Sequence, residues 1–413
     1  MTEAAQVDVT TPALYSTGIP HDRFAAMRAT SGLVWHPYED DGFWAVTRHG
    51  DIREVSRQSA IYSSGLGHTN LWDLEPDALE ARRAILDTDA PDHTRLRRLV
   101  ATAFTPKTIR SWEHLTRQFA ADLLDSFVDQ RQGDWVAAVA APLPIRVILS
   151  ILGVPISDAD LLVELSNHLV EGTSDHQSLP PDAYGNTTEL RLLPFGSPAS
   201  HALFEYGERL GELRRAEPAD DLVSLLVQAH DDGDRLTANE FKNFFHTLVF
   251  AGNETTRTAM THGAMALAAA PDQWDRLVAD RSLIPNAVEE ILRWATPVLH
   301  MRRTAAQDTE LAGTPIAAGD KVVMWYCSAN FDEAVYDDPL TFDVSRQDNP
   351  HMTFGGGGPH YCLGAFLARM ELSVLLEEML ERDMRLQPIG EAVRTASNFV
   401  HGIVSVEMGI DRS

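Results

Sequence analysis

Cysteine is nearly absent: the chain of 413 residues has 2, Cys327 and Cys362. That scarcity excludes a disulfide framework and points to a reducing compartment. It also excludes a structural zinc site of the cysteine-rich kind, which needs about four ligands. Positive charge is scarce as well. Lys and Arg number 34 against 60 Asp and Glu, for a net charge of -26, which argues against nucleic acid as a partner. No uninterrupted apolar run reaches the length of about 18 residues that a membrane-spanning helix requires. Residues 1–15 lack a basic segment followed by an apolar one, so no signal peptide is evident. No repeat, low-complexity tract or Pro/Gly/Ser-rich linker divides the chain. These absences describe a cytoplasmic protein with no membrane anchor. They favour a single domain over residues 1–413, with residues 1–12 loosely ordered. No heptads argue for assembly, so a monomer is expected.

What is present is a hydrophobic content of 44%, enough for a large core, and a mostly helical pattern from Asp51 onward. Short strands are expected at Leu33–Trp35 and Phe43–Thr47, around a turn at Asp40-Asp41-Gly42. Glu310–Tyr326 reads as a small hairpin with turns near Gly313 and Gly319-Asp320. Residues 237–270 read as one long helix, because Thr237 and Glu240 form a capping-box pair and Pro271 follows the end. Such a helix would run about 50 Å at 1.5 Å per residue, far enough to cross a domain. A further helix is predicted over 363–382. Ser63–Asp87 and Glu171–Ser200 carry no regular pattern and read as lid or binding loops. The fold class is mainly α with minor β, the small sheets lying near the N-terminus and in the last third.

The most informative stretch runs Phe354-Gly-Gly-Gly-Gly-Pro-His-Tyr-Cys362-Leu-Gly364. A cysteine at the start of a helix feels the positive end of the helix dipole, which favours the thiolate. Glycines let a flat cofactor approach the backbone. A phosphate-binding loop would need Gly-Lys-Ser/Thr where Pro359-His360 stands. The stretch resembles the haem-binding loop of the cytochrome P450 family, Phe-Gly-x-Gly-x-His-x-Cys-x-Gly. Gly358, His360, Cys362 and Gly364 fall in register, while Phe354 sits one place upstream because the glycine run carries an extra residue. The resemblance covers nearly the whole chain. It implies the P450 fold, a long central helix over haem b, and Cys362 as the axial thiolate of the iron.

Other positions extend the resemblance. Phe250-Ala-Gly-Asn-Glu-Thr-Thr256 places a glycine and two threonines in a helix interior, where they are weak helix formers. It resembles the family's Ala-Gly-x-Asp/Glu-Thr element. That implies room for oxygen at Gly252 and an acid–alcohol pair, Glu254 and Thr255, passing protons to O2 while bulk water stays out. Glu290 and Arg293, at i and i+3, match the family's Glu-x-x-Arg motif, with Arg346 as the third, structural member. His93 and Arg97, at i and i+4, look like propionate partners, together with Arg303 and His360. Leu248, Ala251, Val298, Leu299, Phe399 and Val400 would wall an apolar substrate pocket, whereas His300 and His401 read as satisfied or exposed histidines, with one polar anchor for the substrate as the alternative. Phe331 stands where members often have Arg.

The resemblance implies a monooxygenase that inserts one oxygen atom of O2 into a lipophilic molecule, a steroid, terpenoid or branched lipid. No flavin- or ferredoxin-like segment is present, so electrons would come from a separate ferredoxin-type donor. Arg95, Arg97, Arg98 and Arg110 would steer it. Two other readings stay open. A peroxygenase would typically lose the acid–alcohol pair that this chain keeps. A non-enzymatic haem sensor would need neither relay nor lid.

Overall fold

The computed structural model describes residues 7–39, 41–171, 197–228 and 235–411. The lid expected over Glu171–Ser200 falls mainly on 172–196, outside the described residues, as does the turn residue Asp40. The long helix is Ala238–Ala269, 32 residues starting on Thr237. The Thr237 hydroxyl accepts from the Glu240 amide at 3.2 Å and the Glu240 carboxylate accepts from the Thr237 amide at 2.7 Å. The two bonds satisfy donors that a helix start otherwise leaves orphaned. From Asn253 to Leu267 nearly every side chain is buried, because Pro142–Leu152, Pro198–Ala216, Ile284–Ala295 and Ala365–Glu381 pack around it.

A five-stranded sheet lies beside this helical body, in the order Val34–Tyr38, Asp41–Val46, Lys321–Trp325, His300–Ala305, Tyr62–Ser63. Lys321–Trp325 runs parallel to Asp41–Val46 and antiparallel to His300–Ala305. This corrects the hairpin expected over Glu310–Tyr326. Its first turn does join two paired strands, Thr309–Leu311 and Thr314–Ile316. After Asp320 the chain leaves them and enters the larger sheet. Every residue of Lys321–Trp325 is buried, and a strand covered on both faces belongs in the middle of a sheet. Near the C-terminus Arg385–Pro388, Glu407–Asp411 and Gln132–Asp134 form one small sheet, and Val393–Arg394 pairs with Ile403–Ser405.

Residues 7–12 are anchored, contrary to the loose segment expected there. Val9 is wholly buried and its carbonyl accepts from the Tyr15 hydroxyl at 2.8 Å. Ser63–Asp87 is irregular apart from Pro76–Ala81 and a turn at Ile85–Asp87. It is tied to the sheet by Asp73, which accepts from Arg302 and from Lys321, each at 2.6 Å. Among the described residues no helix is long and apolar enough to cross a membrane.

Candidate active site

The cysteine loop is built on the chain's own packing. The Cys362 amide donates to the Phe354 carbonyl at 3.0 Å, closing the loop on itself. Gly355, Gly357 and Gly358 have φ of 90°, 90° and 81°, a region side chains rarely adopt. A Cβ on Gly356 would stand 2.5 Å from Ser56 Oγ, and one on Gly358 2.3 Å from the Ser56 carbonyl oxygen. These two glycines therefore admit the helix His49–Arg57, where a flat cofactor was expected. Cys362 presents its side chain to space that water can reach, yet it lies deep among protein atoms, so the space it faces is internal. Burial pushes its thiol up, while the Gly364 amide, Arg97 and Arg369 pull it down.

Arg369 lies over the Phe354 ring, 4.4 Å from its centroid. Glu289 holds it there with bonds of 2.6 and 2.8 Å and also accepts from His351 at 3.0 Å. Burial raises the Glu289 carboxyl, but the Arg369 and His351 bonds outweigh it and bring it from 4.5 to about 2. A depressed carboxyl stabilises the fold fully above its unfolded value and loses that contribution as pH falls through the folded one. The Glu289→Gln variant is therefore expected to be less stable than wild type by about 2–3 kcal/mol near neutrality. The gap should close between pH 4.5 and about 2, as read by urea unfolding at stepped pH. A pH-independent gap would remove the charge from this account.

Four cationic or donor side chains gather near the thiol. The His93 and His360 rings are 4.1 Å apart, and His360 is pushed down to about 2 by burial and by Arg303, His93 and Arg97. Burial, aided by Arg97, also lowers His93. The Nε2 of His93 is buried without a hydrogen-bond partner. The one side-chain bond of Arg303 goes to the Arg302 carbonyl at 2.8 Å. The nearby Asp89 carboxylate is taken by Ser63, Ser64 and the Gly65 amide. Among the described residues none of the four donates to a carboxylate. Burying the charges of Arg97 and Arg303 without a bonded carboxylate, and His93 Nε2 without a partner, is costly, and the two propionates of haem b answer that need, so these residues fit the group.

On the central helix Leu248, Ala251, Gly252 and Thr255 keep accessible surface, Ala251 the most. Their spacing of three and four puts them on one face. The Thr255 hydroxyl donates back to the Ala251 carbonyl at 2.8 Å. A Cβ on Gly252 would meet Ile148, on the helix Pro142–Leu152, at 3.4 Å, an ordinary contact. Glu254 is 1% exposed. Its Oε1 accepts from Thr258 at 3.3 Å, and its Oε2 faces Arg257 Nη2 at 3.3 Å. Burial raises its carboxyl, and Arg257 and Thr258 oppose that. Arg257 was missed by the sequence reading, although its i+3 spacing from Glu254 was visible.

Glu290, Arg293 and Arg346 do come together. Glu290 and Arg293 are wholly buried with bonds of 2.7 and 2.8 Å, and Arg346 Nε reaches Glu290 at 3.2 Å. Arg293 also donates to the carbonyls of Asn330 and Pro339 at 2.9 and 2.8 Å. Phe331 now has a reason: its ring lies 5.0 Å from the Arg293 guanidinium, with Tyr336 at 5.2 Å, a cation–π arrangement in which an arginine would repel.

Val298 and Val400 form an antiparallel bridge, and the Leu299 amide donates to the Phe399 carbonyl at 2.8 Å. Val298 and Phe399 keep accessible surface. Leu299 and Val400 do not, which corrects their place among the pocket walls. Leu299 packs with Phe24, Phe43 and Trp325 in the N-terminal core. His401 is satisfied, with Nδ1 bonded to the Ala295 carbonyl, whereas His300 bonds the Asn398 carbonyl through Nδ1 and its buried Nε2 has no hydrogen-bond partner among the described residues. Of the expected steering arginines, Arg95 pairs with Glu240, and Arg97 is half-buried beside Cys362.

A family model described as Cytochrome P450 matches residues 12–389. The chain is 42% identical over 391 residues to a methyl-branched lipid omega-hydroxylase of Mycobacterium tuberculosis, covering 92% of this chain and 88% of that one. It is 38% identical over 397 residues to a steroid C26-monooxygenase of Mycolicibacterium smegmatis, covering 93% and 89%. The structure of a Mycobacterium marinum cytochrome P450 in complex with pseudoionone superposes with a TM-score of 0.88 at 38% identity, covering 98% of each chain. With a thiol facing internal space, a buried cationic cluster beside it and relatives aligned along almost their whole length, the chain belongs to the cytochrome P450 family of haem-thiolate monooxygenases, whose cofactor is haem b.

Proposed function

We propose that the enzyme hydroxylates a branched lipid or a steroid, using electrons from a separate ferredoxin-type protein. Haem b, when bound, supplies the iron chemistry that activates O2. Cys362 serves as its thiolate ligand, with Phe354 and Gly364 shaping the loop. His93, Arg97, Arg303 and His360 hold the propionates. Glu254 holds protons in a dry setting and Thr255 presents its hydroxyl to the reaction space. Glu290, Arg293 and Arg346 keep the segment before the loop in place.

The observation that carries the substrate class is the nature of the accessible wall. Leu248, Ala251, Val298 and Phe399 offer only alkyl and aromatic surface, as pockets for lipophilic ligands do. Relatives named for a methyl-branched lipid and for a steroid support the same class. Retention of Glu254 and Thr255 favours O2 over peroxide as oxidant. The test is an optical titration of the haem-loaded protein with branched fatty acids, steroids, terpenoids and small aromatics. A saturable low- to high-spin shift with branched lipids or steroids is expected. Saturation by small aromatics alone would overturn the assignment.

A further inference from the structure

Glu254 is enclosed, so protons that it passes on must reach it through other groups. Of the two side chains paired with it, Thr258 is enclosed at 1% exposure, and the Arg257 guanidinium does not give up its proton in a protein, so it cannot relay one. Glu254 Oε2 faces Arg257 and has no hydrogen-bond partner among the described residues. The way out lies on the other side, toward the pair Val393–Arg394 and Ile403–Ser405. A Cβ on Gly402 would stand 2.7 Å from Thr395 Oγ1 and 3.1 Å from Glu254 Oε1. Both oxygens thus close in on the bare Cα of Gly402 and stand no more than about 6 Å apart, within reach of a single bridging water. Thr395 keeps 9% of its surface exposed. It is flanked by half-buried Arg394 and exposed Ala396, and its amide is fixed by a bond of 3.0 Å to the Gly402 carbonyl. Gly402 does not have the positive φ that would demand glycine. Its missing side chain matters because it lets Thr395 and Glu254 come so close.

We propose that Thr395 and Gly402 form the port through which solvent protons reach Glu254. The Thr395 hydroxyl, across one water, gives its proton to Glu254 Oε1 and takes another from solvent. One O–H bond forms for each that breaks, and no charge is left on Thr395. Gly402 is a positioning residue, since its bare Cα lets the two oxygens approach each other. The proposal rests on the relay role of Glu254, and its test separates the two.

The test uses the haem-loaded enzyme at rest. Hydrogen–deuterium exchange of the Glu254 carboxyl is followed by infrared difference spectroscopy, the band being assigned by its loss in Glu254→Gln. Gly402→Ala pushes the two oxygens apart with one methyl and Thr395→Val removes the hydroxyl. Each should slow the exchange by about tenfold or more, given what a positioned proton donor contributes, and Thr395→Ser should restore it. Under turnover the same two variants should send a larger share of electrons to peroxide and show a larger solvent isotope effect, with the substrate spin shift unchanged. Wild-type exchange in both variants overturns the port. Slowed exchange with unaltered coupling in Glu254→Gln would keep the port and overturn the relay.

Discussion

Cys362→Ser is expected to abolish the thiolate-type carbon monoxide spectrum and to lower turnover at least about 1,000-fold, about 4 kcal/mol of lost transition-state stabilisation. The loop itself should persist. Its closing bond uses the Cys362 amide and the Phe354 carbonyl, and its turn depends on glycines, so neither needs the sulfur. What disappears is the soft anionic donor that favours O–O cleavage. Cys327→Ala provides the contrast. That thiol is wholly buried and pushed upward by burial, among the side chains of the N-terminal core. The variant should cost stability on the order of 1 kcal/mol and leave the spectrum alone. A thiolate-type spectrum that survives in Cys362→Ser would move the ligand elsewhere and undo the site.

Arg293→Ala is expected to cost about 3–5 kcal/mol, the usual effect of breaking a buried ion pair from one side. The guanidinium has no exposed surface, is bonded twice to Glu290, and donates to three carbonyls, those of Asn330, Pro339 and Thr341. Removing it leaves Glu290 charged and enclosed, with Arg346, Asn349 and the Asp343 amide as its remaining donors. Against a typical total stability of about 5–15 kcal/mol, much of the protein should be recovered unfolded or without haem. Arg293→Lys should be nearly as damaging, because a single ammonium cannot reproduce the planar fork. Denaturant unfolding and haem content are the readouts. A variant within about 1 kcal/mol of wild type would mean that the surrounding bonds, and not the ion pair, hold this region.

Much of this was legible in the sequence where chemistry and local periodicity coincide. Thr237, Glu240 and Pro271 bound a helix by rules that act within a few residues, and the helix starts and stops there. Cys362, His360 and the Glu290–Arg293 spacing were readable because few other residue types do their work. The errors arose where distant parts of the chain meet. Lys321–Trp325 joins a sheet with a strand that begins at Asp41, which no local pattern reports. Leu299 and Val298 differ by one position, and only the strand's facing decides which meets the pocket. Gly356 and Gly358 looked like room for a cofactor because the helix they admit lies far away in sequence. Phe331 made no sense until Arg293 was seen above it.

The support of that loop by His49–Arg57 also bears on how the protein is made. Gly358 rests on Ser56, and His360 is bonded to Ser64 across a sequence separation of 296 residues. Contacts of such range form late, because closing the intervening chain is entropically slow. During synthesis the early helix must therefore wait, without its partner, until nearly the whole polypeptide has emerged from the ribosome. Haem loading becomes one of the last events of biogenesis, and a chain truncated shortly before Phe354 would carry most of the fold and none of the cofactor.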